Sequence, residues 1–238
     1  MLESEKASRI RVGCARLYRV MCERAGSSRL TLSLIFVLMA WYIVQTAALF
    51  AGWDSTKLGY WFATNASMDP TPGMIFALFS HAFFPNTGHI LSNLVVLTVF
   101  GGASERHMSA KEYISFLLVV GYAATFLSTA IKSSSTLGSS VAVYGYAAFY
   151  PVHMLLIHRD NTAFRSEKFR VLPTNKESVR VYRELILILV PPALLVLFLG
   201  QAVGLIPVGQ QNVMGHAIGF LLGASWALGR KYLDFKPC

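Results

Sequence analysis

Three small polar constellations sit inside stretches of this chain that are otherwise apolar. Gly138-Ser139-Ser140-Val141-Ala142-Val143-Tyr144 opens one stretch, His89 and Asn93 lie in a second, and His216, Gly219 and Gly223 lie in a third. A serine hydroxyl is a poor nucleophile until an adjacent base takes its proton, and histidine is the side chain most often used for that. Amide and imidazole N–H groups can hold the oxyanion that forms when a carbonyl is attacked. Brought together, these residues have the parts needed to hydrolyse a peptide bond.

The spacing selects faces. His89 and Asn93 are four residues apart and share one face of a helix, as do Ser140 and Tyr144. His216, Gly219 and Gly223 line one stripe, and their Gly-x-x-x-Gly pattern allows two helix backbones to approach closely. Such an approach is expected to bring His216 within hydrogen-bond reach of Ser140. The Asn93 amide, the His89 imidazole and the Ser140 backbone N–H are the candidate oxyanion donors, because the first amides of a helix lack internal partners. Of the twelve carboxylates, ten fall in 1–29, 104–112, 158–184 and 230–238, the segments expected on the cytoplasmic side, and Asp54 and Asp69 fall in the external loop. None lies at the depth of His216. A hydrolase built here would therefore use a Ser140–His216 dyad without an orienting acid, and Tyr144 would fix the imidazole by packing against it.

The elements that carry these residues are membrane spans. Charged residues make up 14% of the chain and hydrophobic ones 54%, with a mean hydropathy of +0.50. Soluble domains carry about a quarter charged residues, so the bilayer is the expected solvent. Apolar runs fall at 30–51, 73–84, 88–103, 113–131, 138–157, 185–206 and 212–229. A span needs roughly 20 such residues, and 73–84 is too short, so it reads as part of an interfacial loop. The expected fold is an all-α membrane protein with six transmembrane helices. A basic tail (1–29) precedes a membrane domain (30–229) with loops at 52–87 and 158–184, and a short tail (230–238) follows. Pro191-Pro192 is expected to kink the fifth span.

Orientation follows from charge. Of the 21 Lys and Arg residues, all but Lys57 and Lys132 fall on one side of such a bundle, which puts both termini in the cytoplasm. The net charge of +9 is then topological and lipid-facing, with no nucleic acid as partner. The second, fourth and sixth spans all run inward from the outside, so His89 with Asn93, Ser140 and His216 reach one layer just below the outer surface. Residues 1–29 have no apolar core and do not read as a cleaved signal peptide. Cys14, Cys22 and Cys238 all fall on the cytoplasmic side, where a structural disulfide is not expected. No Cys/His cluster has metal-ligand spacing, and no cofactor is expected. His81 and Asn86, in the aromatic-rich external loop, read as solvated, and His153 reads as a bonded bundle histidine.

Four motifs in order across 73–229 resemble the rhomboid intramembrane serine proteases. They are His89-Ile90-Leu91-Ser92-Asn93, Gly101-Gly102-Ala103-Ser104-Glu105, Gly138-Ser139-Ser140 with Tyr144, and His216-Ala217-Ile218-Gly219-Phe220-Leu221-Leu222-Gly223. The resemblance implies a rhomboid-like bundle with Ser140 as nucleophile and His216 as general base. His89 and Asn93 would stabilise the oxyanion, Tyr144 would pack on His216, and Gly138, Gly219 and Gly223 would support the site. Transmembrane protein substrates, cleaved near the external end of a span, would be the partners within the lipid bilayer. The sequence departs from the family at two places. Val141 follows the serine where glycine is usual, and a β-branched residue there is expected to crowd the Ser140 amide. Pro72-Gly73-Met74 lies near the place of the usual Trp-Arg pair. The alternative is a non-catalytic relative that binds transmembrane segments for folding or degradation. Such relatives typically lack the serine or the histidine, and both are present here. A small transporter would require inverted repeats or mid-membrane charges, and neither is visible. The expected location is a prokaryotic plasma membrane, with a eukaryotic secretory membrane as the alternative.

Overall fold

The computed structural model describes residues 28–160 and 212–232, together with the helical positions Leu189, Ala193 and Val196. Every element in the described residues is helical. Helix α1 (Arg29–Phe50) is apolar along its whole length, yet much of its surface is not covered by protein. Thr31, Leu34, Leu38 and Gln45 form its buried stripe, while Phe36, Ile43 and Phe50 are 75%, 65% and 73% exposed. An exposed apolar face of that extent marks a surface for lipid or for another protein, and the helix is long and apolar enough to cross a bilayer. Three more helices are long and apolar enough to cross a bilayer: Thr87–Glu105, Ala110–Lys132 and Ser140–Ile157. Pro191-Pro192 and most of the run at 185–206 lie outside the described residues.

The segment between α1 and the next span holds two short helices, α2 (Ser55–Phe62) and α3 (Pro72–Phe76). Asp54 caps α2 by accepting from the Lys57 amide at 2.8 Å, and Pro72 opens α3. The segment is packed onto the bundle. Trp41 of α1 stacks on Phe76 with centroids 4.8 Å apart and donates from Nε1 to Ser80 Oγ at 3.1 Å.

The next span is α4 (Thr87–Val96), a π-helical turn (Leu97–Gly101) and α5 (Gly102–Glu105) in one continuous run. The helix runs through Gly101-Gly102 to Glu105, whose carboxylate has a tertiary task. Glu105 accepts from the amides of Leu30 and Thr31 (2.9 Å each) and from the Thr31 hydroxyl (2.7 Å), so it caps the start of α1. Two orphan amides lose their acceptor in Glu105→Ala. That change is expected to cost about 2 kcal/mol, read as a lower unfolding temperature in detergent.

Helix α6 (Ala110–Lys132) packs against α7 (Ser140–Asp160) and α8 (Val213–Tyr232). Their shared core is aromatic. Tyr113 stacks on Tyr146 at 4.7 Å, and Phe116 meets Tyr146 and Trp226 at 4.6 and 5.4 Å. The tightest helix pair is α7 with α8. A Cβ on Gly219 would lie 2.0 Å from Val141 O, and one on Gly223 would lie 2.1 Å from Gly145 O, so these helices meet backbone to backbone.

Candidate active site

That close approach sets the site. Ser140 is the first residue of α7 and His216 lies in the first turn of α8, and both are buried. Ser140 Oγ lies 2.8 Å from His216 Nε2. A neutral imidazole accepting at Nε2 is placed to take the serine proton. The Tyr144 ring, one turn along α7, covers the imidazole with centroids 4.6 Å apart. Asn212 fastens the start of α8: its Oδ1 accepts from the Gly215 amide at 3.0 Å, and its Nδ2 donates to Ser128 Oγ of α6 at 3.1 Å.

Gly138 turns the chain into α7 with φ +124°, a conformation that needs glycine. A Cβ there would sit 3.3 Å from Ser140 Oγ and 3.8 Å from His89 Nε2. The serine and the His89 imidazole therefore converge across the bare Cα. The Gly138 amide donates to Ala77 O at 2.8 Å, and Thr64 N donates to Thr136 O at 2.9 Å, so the α3 segment holds the serine turn from behind. Asn93, one turn beyond His89 on α4, is buried, and its Nδ2 has no hydrogen-bond partner among the described residues. Buried donors are seldom left unmade in folded proteins, which marks this one as a candidate donor. His89 also lines a cavity of about 430 Å³ with Asn86, Lys132, Thr136 and Asn212.

The Val141 side chain is buried in the core beside Gly215 of α8. Asp54 and Asp69 are engaged elsewhere, with Asp54 on α2 and Asp69 paired to Ser67. Among the described residues no group of three metal-ligating side chains occurs. His153 stacks on Phe149 at 5.2 Å and meets His107 edge-on at 5.1 Å, at the far end of α7 from Ser140.

One residue is misplaced by sequence reasoning. His81 is not solvated: its exposure is 0%, whereas Asn86 is exposed. The His81 backbone is clamped by Gln45, whose Oε1 accepts from the His81 amide (3.0 Å) and whose Nε2 donates to the His81 carbonyl (3.3 Å). The His81 ring reaches Phe79 O from Nδ1 (3.1 Å) and Ser139 Oγ from Nε2 (3.0 Å). Gln45 was the available signal, because an amide within an apolar span requires a partner.

A family model for the Rhomboid domain matches residues 70–232, more than half of the chain, and takes in α3 through α8. The chain belongs to the rhomboid family. No curated protein matches it. Rhomboid domains are usually those of serine proteases that act within membranes, and the apolar helices of this rhomboid make it an integral membrane protein. The matched region contains Ser140, His216, His89, Asn93 and Tyr144, and also His81 and Ser139.

Proposed function

We propose that this rhomboid is an active intramembrane serine endopeptidase, with Ser140 as nucleophile and His216 as general base. The observation that carries the proposal is the 2.8 Å separation of Ser140 Oγ and His216 Nε2 across two helices in glycine contact. On this reading His216 takes the serine proton as Oγ attacks the scissile carbonyl carbon. The oxyanion is held by the Ser140 amide, by Asn93 Nδ2 and by the His89 imidazole. His216 then protonates the departing amine, leaving an acyl-serine. Water, deprotonated by the same imidazole, releases the acid and restores Ser140. Tyr144 keeps the ring in register in place of an acid, and Gly138, Gly219 and Gly223 permit the geometry.

The substrate class follows from the bilayer. A transmembrane helix hides its carbonyls in internal hydrogen bonds, so it must unwind locally before Ser140 can reach one. The proposed frame has six spans, with the fifth at 185–206, and cytoplasmic tails at 1–29 and 230–238. The cavity at His89 then opens outward, and a prokaryotic plasma membrane is the proposed setting. A serine-reactive fluorophosphonate should label wild-type protein at Ser140 and leave Ser140→Ala unlabelled. An unlabelled wild type would sink the hydrolase reading and leave a protein that binds transmembrane segments without cutting them.

A further inference from the structure

A serine at the N-cap of a helix ordinarily turns its hydroxyl onto the orphan amide two or three residues ahead. Ser139 stands at that position of α7, where its carbonyl accepts the first backbone bonds, from Ala142 and Val143 at 3.0 Å each. Its hydroxyl is turned away from the helix and lies 3.0 Å from His81 Nε2. The direction of that bond follows from the group behind it. Phe79 O can only accept, so His81 Nδ1 carries the proton and Nε2 is left as the acceptor for the Ser139 O–H. Burial, with His89 alongside, lowers the His81 pKa to about 3, which keeps the ring neutral and Nε2 able to accept. Gln45 holds the loop so that the ring cannot retreat.

An N-cap oxygen and a tetrahedral oxyanion are acceptors for the same orphan amides at the start of a helix. A serine released beside the nucleophile would therefore take the Val141 amide, the orphan donor next to that of Ser140. We propose that His81 is a positioning residue that holds the Ser139 hydroxyl off the N-terminus of α7, keeping the Val141 amide, next to that of Ser140, open to the oxyanion. This rests on the reading of Ser140 as nucleophile.

The test uses the full chain in liposomes with a fluorescent single-span substrate. His81→Phe keeps a ring beside His89 but removes the acceptor. Its kcat should fall about tenfold, the shift that one N-cap bond can impose, with KM within about twofold. His81→Gln, which returns an acceptor oxygen, should recover activity. Ser139→Ala alone should keep near-wild-type kcat, and added to His81→Phe it should restore most of the loss. If the Ser139–His81 bond served only to brace the turn, Ser139→Ala would itself lower kcat tenfold and would rescue nothing, and that result overturns the proposal. Ser139→Ala needs no change at His81, so a tenfold loss in that variant overturns the proposal even if His81→Phe does not fold. Amide hydrogen exchange at Val141 gives a readout without catalysis. It should slow in His81→Phe and return in the double variant, and equal rates throughout overturn the proposal. Slowed exchange in a protein whose Ser140 resists the phosphonate would instead sink the hydrolase reading and keep the role of His81.

Discussion

Ser140→Ala and His216→Ala should each remove cleavage of a single-span substrate in liposomes, lowering kcat/KM by about 10⁴-fold or more. The two residues share one proton across a 2.8 Å contact. Without the imidazole the hydroxyl is a weak nucleophile, and without the hydroxyl the imidazole has nothing to activate. The losses should accordingly be non-additive, with the double variant no worse than the worse single one. Both side chains are buried at the start of their helices, and the alanine variants keep the glycine contact between α7 and α8. Folding should be largely retained, which the unfolding temperature in detergent would verify. Residual cleavage in Ser140→Ala at more than about a hundredth of the wild-type rate would remove Ser140 from the role of nucleophile.

The second large effect is expected at the glycines. In Gly219→Ala the new methyl meets Val141 O at 2.0 Å, and in Gly223→Ala it meets Gly145 O at 2.1 Å. Each contact is to backbone, which cannot rotate aside, so α8 must move away from α7. Overpacking of this kind costs about 1–3 kcal/mol or more, and both variants should unfold at lower temperature. Activity should separate them. Gly219 lies three residues from His216, less than one turn, so displacement there lengthens the contact to Ser140 directly. Gly223 lies two turns away and disturbs the site less. A kcat loss of about 10²-fold for Gly219→Ala, against a smaller one for Gly223→Ala, would fit placement errors of about an ångström. Equal activity of Gly219→Ala and wild type would show that the close approach does not set the dyad.

The glycine contact also marks how far local sequence reaches. Apolar run length was enough for α1, for the span from Thr87 and for α6 and α7, because crossing a bilayer depends on length and hydropathy. The four-residue spacing of His89 with Asn93 and of Ser140 with Tyr144 was legible too, since helical periodicity is local. The Ser140–His216 pairing was legible at one remove. The two residues are 76 positions apart, but the glycines between which the helices meet are written beside them.

The stretch between α1 and α4 was not legible in this way. It has no sustained period, and its two helices are eight and five residues long. Nothing within it says that His81 is buried, because the decision belongs to Gln45 on α1 and Ser139 ahead of α7. Glu105 behaves likewise: its motif is visible in the sequence, but its task at the first turn of α1 lies about 75 residues away. The residue types, their spacing along each helix and the solvent they require were determined by the sequence alone. Which polar group answers which was decided only by tertiary structure, because a buried donor or acceptor is satisfied by whatever the packed helices bring within about 3 Å.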